Sequence, residues 1–359
     1  MECSIIMPFC NEVPQCLFTI QSLIEELDGF CKYEILAIDN MSDQYINCQT
    51  DADYDGKTIK IGDHSRSFPV RQREFFHQKV FNKKLNMEVD RFIGTYFFKK
   101  GIVKYLQYDA RQGHWQAKNY GIANSTGKYL FFIDAHCVMK RDSLRKMIQF
   151  LRDRPNEKIG GVHAYINYML DSHSLEYKPQ KKTFGYQFCS AQTVWQDLPN
   201  GKKRAVRRPE PYQVCVMSTC GMLTPRSAIE ALGGWNKELG IYGGGESYIN
   251  WKQSTCGWSH WIHPECECWH WAEKRGYSWN HTDFVRNSFI AAYCVGGDEF
   301  LNQQVELRCQ KDRPEVIERL AADIRENCTD DMEFIRNNQI ISFNDYIDYW
   351  TENPGSWVK

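Results

Sequence analysis

Three short apolar runs, each closing on polar residues, most constrain what this chain can fold into. Cys3 to Phe9, Glu34 to Asp39 and Lys128 to Asp134 are buried-strand patterns, near-continuous in Ile, Leu and Phe and too short for independent helices. Val13 to Leu27, apolar at helical spacing, lies between the first two. A further strand pattern at Ile102 to Tyr108 and a helix-like segment from His114 to Asn124 precede the third. Strands alternating with helices imply an α/β chain built on a mostly parallel sheet flanked by helices. Ligands on such sheets bind beyond the carboxyl ends of the strands, where Asp39 and Asp134 stand. A helix at Arg141 to Leu151 and a strand at Ile159 to Tyr165 continue the order. Residues 63–101, mixed aromatic and basic, read as a partly helical insertion, and residues 171–211 as a long functional loop. Beyond Trp279 the pattern turns helical and acidic, predicting a main domain over 1–275 and a helical region over 276–359.

Composition narrows the classes. A chain of 359 residues with 42% hydrophobic residues has ample length for a core, which excludes a disordered chain, collagen or a coiled coil. No apolar run approaches the roughly 20 residues that cross a bilayer. Met1 to Ile6 has no basic flank before an apolar stretch, so no secretory leader and no membrane partner are expected. Fifteen cysteines, an odd number scattered through apolar segments, fit buried reduced thiols better than disulfides. Together these predict a cytoplasmic protein of a bacterial or phage-infected cell.

The candidate chemistry sits in two clusters. Alternate residues of an extended chain project to one face, so Asp134 and His136 can converge beyond the third strand and bind a divalent cation. A strand-end Asp that caps the next helix is the competing reading. The second cluster is Tyr242-Gly243-Gly244-Gly245-Glu246-Ser247, followed by a probable helix from Tyr248 to Ser254 and then by His263, Cys266, Cys268 and His270. The glycines would let backbone approach a ligand with Glu246 beside it, or form a plain turn with Glu246 as a first-turn helix acid. The four His and Cys residues are an alternative structural zinc set, although their spacing departs from paired-cysteine patterns.

Four segments, Ser4 to Glu12, Ile38 to Asp43, Lys118 to Gly127 and Phe132 to His136, resemble in order the landmarks of a GT-A glycosyltransferase of the family 2 type. The Asp-x-His motif, with Gly244-Gly245-Glu246 and a later histidine, is similar to the polypeptide N-acetylgalactosaminyltransferases. The resemblance covers about residues 3 to 275. It implies a nucleotide-sugar donor, UDP-linked by expectation, held by Pro8, Asn11, Glu12, Asp39, Lys118, Asn119 and Asp134. It implies Mn2+, or Mg2+, on Asp134, His136 and His270, with manganese preferred because imidazole is softer than magnesium favours. Glu246 and Asp134 would be the catalytic carboxylates. Many inverting relatives carry Glu-Asp where this chain has Glu246-Ser247, which tilts the expectation toward retention of anomeric configuration.

The acceptor is read from charge. From Lys178 to Arg208 there are eight basic residues, interleaved with Tyr177, Phe184, Tyr186, Phe188 and Trp195, against one acid, Asp197. Cations for phosphates and rings for stacking make DNA with a hydroxylated base a candidate acceptor. Protein or glycan hydroxyls are alternatives, as is a loop that closes over an anionic donor. Two other classes compete: an inactive nucleic-acid-binding module, and a zinc-stabilised interaction protein.

Overall fold

The computed structural model describes residues 1–10, 12–40, 58–61, 64–67, 73–82, 87–97, 101–108, 113–169, 179–184, 209–271 and 280–352. Its strands are β1 (Cys3–Phe9), β2 (Tyr33–Asp39), β3 (Thr58–Ile61), β4 (His64–Ser67), β5 (Arg73–Asn82), β6 (Met87–Phe97), β7 (Gly101–Gln107), β8 (Tyr129–Phe132), β9 (Cys137–Met139), β10 (Ile159–Met169), β11 (Pro179–Phe184), β12 (Tyr212–Val214), β13 (Met222–Pro225) and β14 (Ser259–Trp271). Its helices are α1 (Val13–Leu27), α2 (His114–Ala123), α3 (Ser143–Arg152), α4 (Arg226–Leu232), α5 (Gly245–Thr255), α6 (His281–Cys309), α7 (Pro314–Asn338) and α8 (Phe343–Glu352).

Among the described residues the main sheet runs β12-β14-β10-β13-β8-β1-β2-β7-β6-β5, with β11 on β10 and β9 on β14. The parallel part predicted by the alternation is its centre, where β1 pairs with β2 and β8, and β2 with β7. Toward the edges β13 joins β8 and β10 antiparallel, and β10 and β14 form a further parallel pair. The sheet is therefore mixed, on an α/β fold.

The period of two along each central strand explains why both faces are covered. Ile6, Leu36, Ile38, Leu130 and Phe132 enter one core cluster, with Trp115 of α2, Trp251 of α5 and Phe289 of α6. Ile5, Met7, Ile35, Ala37, Phe131 and Ile133 enter the other, with Leu23 of α1 and Met147 of α3. The helical region after residue 276 shares the first of these cores: Phe300, Ile324, Phe343 and Trp350 belong to the same cluster, and the rings of Trp251 and Phe343 lie 4.9 Å apart.

Two local expectations are corrected. Residues 58–97, expected to be partly helical from 63 onward, contribute β3 to β6, and β5 and β6 pair antiparallel over their length. The runs Arg73–Asn82 and Met87–Phe97 are rich in aromatic and β-branched residues, which suit a pleated surface better than a helix. Within 171–211, expected to be a loop, residues 179–184 add β11 antiparallel to β10. Most of the basic stretch Lys178 to Arg208, and Asn11, lie outside the described residues.

Candidate metal and donor site

Register brings the acid and the two imidazoles together. Asp134 follows β8 by two residues, and β9 then pairs antiparallel with β14 so that Cys137 faces His270. The consequence is close approach across 134 positions of sequence: His136 Nε2 lies 3.2 Å from His270 Nε2, and His270 Nε2 lies 3.5 Å from the Asp134 carboxylate. Cis ligands of an octahedral ion with bonds near 2.1 Å stand about 3 Å apart, so His270 lies at ligand spacing from both Asp134 and His136. The Asp134 side chain keeps 34% of its surface open while His136 and His270 keep 19% and 15%, so the carboxylate is the most accessible of the three.

The field at this point favours positive charge. Burial alone would raise the Asp134 carboxyl, but the hydrogen bond from His270 and the charges of Lys118, His136 and His270 hold it well below the usual carboxylate range. Burial opposes a charged His136. Glu12, whose carboxylate lies 3.0 Å from His136 Nδ1, and then Asp134 outweigh it and carry the ring up to about 9. Glu12, expected to line the nucleotide pocket, stands against the Nδ1 side of the His136 ring, the place a carboxylate partner takes behind a metal-binding histidine.

Lys118 and Asn119, adjacent in sequence, have different tasks. The buried Lys118 ammonium donates to Thr219 Oγ1 at 2.7 Å and lies 4.9 Å and 5.7 Å from the ring centroids of Trp115 and Trp235. Thr219 Oγ1 in turn lies 3.5 Å from Glu246 Oε1, so a cation, a hydroxyl and a carboxylate form one line beside Asp134. Asn119, expected near the donor, clamps the backbone of Trp235: its amide nitrogen donates to the Trp235 carbonyl at 2.7 Å and its oxygen accepts the Trp235 N–H at 2.9 Å.

The glycine run also has a packing role. Gly243 and Gly244 adopt φ of +82° and +68°, a Cβ on Gly244 would overlap the Asn287 carbonyl, and one on Gly245 would overlap the Trp115 indole. These glycines seat α5 against α2 and α6, which aims Glu246, in the first turn of α5, toward Thr219. Asp39 ends β2 opposite Phe9, and Pro8 lies buried in β1.

The alternative zinc set does not assemble. Pairing of β10 with β14 jumps from Ala164 opposite His263 to Tyr165 opposite Glu267, so residues 264–266 bulge. Cys266 donates to the Ser143 carbonyl at 3.2 Å, and His263 meets the Phe150 ring edge-on. Thr219 and Cys220 were missed by sequence reasoning. They ride on the segment before Gly221, whose φ of +93° and N–H to the Phe132 carbonyl bend the chain over the end of β8.

Residues 88–233 match the family model Glycosyl transferase family 2. The chain is 25% identical over 254 residues to polypeptide N-acetylgalactosaminyltransferase 11 of Xenopus tropicalis, covering 68% of this chain and 41% of that protein. It is 25% identical over 163 residues to polypeptide N-acetylgalactosaminyltransferase 14 of Homo sapiens, covering 45% and 29%. Its fold matches GalNAc-T7, solved with UDP, GalNAc and Mn2+, at a TM-score of 0.66 and 16% identity over 98% of this chain and 56% of that one. It also matches S. aureus TarS 1-349 with UDP-GlcNAc, at 0.50 and 11% over 100% and 93%. The chain shares the α/β fold of GalNAc-T7, and its residues 88–233 resemble the family 2 glycosyltransferases. It spans less than half the length of these two curated relatives. The family match ends at residue 233, so two parts of the site, Glu246 and His270, lie beyond it.

Proposed function

We propose that this chain is a glycosyltransferase that moves a sugar from a UDP-sugar to a hydroxyl acceptor, with a divalent ion, manganese by preference, on Asp134, His136 and His270. The observation that carries the reading is the convergence of those three side chains at 3.2 Å and 3.5 Å on the open end of the sheet. An ion there supplies Lewis-acid stabilisation of the charge that develops on the leaving diphosphate. The chain's own groups prepare the rest. Glu12 fixes the His136 ring, Lys118 adds a buried positive charge beside Asp134, and Asp39 ends β2 where a nucleotide base would sit. The bond from the anomeric carbon to the diphosphate oxygen breaks, the acceptor oxygen bonds to that carbon and passes its proton to the leaving diphosphate, and the carboxylate of Glu246 favours the positive charge that develops on the sugar.

Retention of configuration is the favoured outcome. The residue after Glu246 is Ser247, a buried hydroxyl, where inversion by an Asp base would need a carboxylate. The acceptor reading has two sources. The basic, aromatic stretch Lys178 to Arg208 favours DNA with a hydroxylated base. The names of the relatives favour a polypeptide hydroxyl.

The test is a donor screen followed by acceptor arms. Thermal shift with Mn2+ against UDP-, GDP- and TDP-sugars should select a UDP-sugar, and slow hydrolysis should release UDP. Asp134→Ala should abolish that release. Retained hydrolysis in Asp134→Ala, or binding of nucleotide sugars that ignores Mn2+, would overturn the metal assignment. With the donor known, transfer to duplex DNA containing hydroxymethylated bases, or to Ser- and Thr-containing peptides, decides between the acceptors.

A further inference from the structure

Directly behind the candidate manganese ligands lies a cluster of sulfur that the proposed reaction does not use. Cys137 Sγ and Cys220 Sγ are 3.1 Å apart, and both residues are almost wholly buried. Cys268, equally buried, is within hydrogen-bond reach of both sulfurs. Among the described residues, one group of His, Cys and acidic side chains has the geometry of a metal site: Asp134, Cys137, Cys220 and His270, with ligand atoms all within 4.8 Å of one another. Asp134 and His270 thus belong to two possible donor sets, one completed by the His136 imidazole and the other by two thiols.

We infer that Asp134, Cys137, Cys220 and His270 form a tetrahedral site for a thiophilic cation, zinc by chemistry, whose occupation takes Asp134 and His270 away from the position completed by His136. The inference goes beyond the proposed reaction, sharing only these two residues with it.

The donor types fit the ion. Zinc takes sulfur at ~2.3 Å and nitrogen or oxygen at ~2.0–2.1 Å, so neighbouring ligand atoms of a tetrahedral site stand ~3.3–3.8 Å apart. The observed group, with ligand atoms within 4.8 Å of one another and its two sulfurs 3.1 Å apart, therefore needs an adjustment of at most about 1–1.5 Å at its widest and a small separation of the sulfurs. Its backbone is already fixed. Cys137 is paired across from His270 in the β9–β14 ladder, and Cys220 is held by its N–H to Ser218 Oγ at 3.0 Å and by its carbonyl to His163 Nε2 at 2.8 Å. Two thiolates and a carboxylate around a dication leave one net negative charge, which His136 and Lys118 face from the open side. Binding releases the two thiol protons to solvent and involves no electron transfer. For mixed nitrogen and sulfur donors the order of affinity places zinc far above manganese, so the softer ion wins the shared ligands.

Cobalt serves as the spectroscopic stand-in for zinc. The full chain, kept reduced with a phosphine, is titrated with Co2+ alone. A thiolate-to-cobalt absorption band in the near ultraviolet should grow to one equivalent and vanish on adding one equivalent of Zn2+. Cys220→Ser should lose about half of the band and weaken zinc at least tenfold, whereas Cys31→Ser, in the N-terminal core, should change neither. Absence of the band in the unaltered chain, or a band insensitive to Cys220→Ser, overturns the site. Electron paramagnetic resonance of Mn2+ then reads the competition: one equivalent of zinc should release bound manganese, and manganese that stays bound beside zinc refutes the sharing of Asp134 and His270. A cobalt–thiolate band in a chain that never binds manganese would sink the proposed metal assignment while sustaining the sulfur site. Manganese binding without the band would do the reverse.

Discussion

The strand layer β1-β2-β8 and the corner where β9, β14 and the segment before β13 meet are built on different principles. In the layer, contact repeats: Ile5 faces Ile35 on one side and Phe131 on the other, Ile6 faces Leu36 and Phe132, and each pair does what the next pair does. In the corner nothing repeats. Asp134, His136, Thr219, Cys220, Glu246 and His270 arrive from four separate stretches and meet in contacts that do not repeat along any strand. The layer supplies stability by redundancy, and the corner supplies chemistry by convergence. Substitutions in the two regions should therefore fall on different observables.

The largest effect is expected in the layer. Phe131→Ala removes a fully buried ring between two sheet-covering helices and should cost about 3–5 kcal/mol of folding free energy, read as a lower denaturant midpoint at unchanged slope. Donor hydrolysis per folded molecule should stay the same, and a loss of turnover in the folded fraction would break the division. The mirror experiment is His270→Ala. Removing one charge-stabilising partner should lower hydrolysis on the order of 10²–10³-fold, while the melting temperature moves little because the side chain sits at the open end of the sheet.

This division also explains what could be read from the sequence. The layer was legible because its signal is local: period-two burial and runs such as Tyr129–Phe132 state their own conformation within a few residues. Asp134 and His136 were legible for the same reason, being two positions apart on an extended chain. His270 was named through family resemblance, and nothing in its own surroundings announces the β9–β14 pairing that delivers it. Thr219 and Cys220 carried no signal beyond a glycine two and one positions later, because their roles depend on Gly221 turning the chain over β8. The glycines before Glu246 left ligand approach and a plain turn both open, since the neighbours that exclude a Cβ, Trp115 and Asn287, are far away in sequence. Residues 58–97 failed for a different reason: clustered aromatics imitate a helical face when their strand partners are unknown.

Acid should separate the regions by sign. In the β10–β14 half, burial lowers His260 to about 3, and the neutral ring lies within hydrogen-bond distance of Ser254 and Gln253. An unfolded chain would bind a proton there below about 6.5, so this histidine's contribution is lost as pH falls, amounting to about 2 kcal/mol at pH 5. On α1, burial raises Glu26 to about 7 against the N–H bonds from Asp142 and Leu144. The folded state then holds the extra proton between about 4.5 and 7, and acidification through that window stabilises it. Stability curves of His260→Asn and Glu26→Gln should each lose one of these opposed slopes. Curves that change in the same direction would show the protons bound elsewhere.

The smallest effect tests whether backbone conformation alone matters in the layer. Gly29, at φ +83° just after α1, has no atom within 4 Å of where a Cβ would stand. Gly29→Ala should therefore cost only the left-handed strain, about 1 kcal/mol, and leave hydrolysis untouched. Gly244 has nearly the same φ, but its added methyl would overlap the Asn287 carbonyl at the turn that launches Glu246. Gly244→Ala should lose more stability and, in whatever fraction folds, lose turnover as well, because relieving the overlap swings the first turn of α5 away from Thr219. Equal stability costs with intact turnover in both variants would mean that the corner tolerates displacement as readily as the layer does, and the contrast between redundancy and convergence would fail at its most local level.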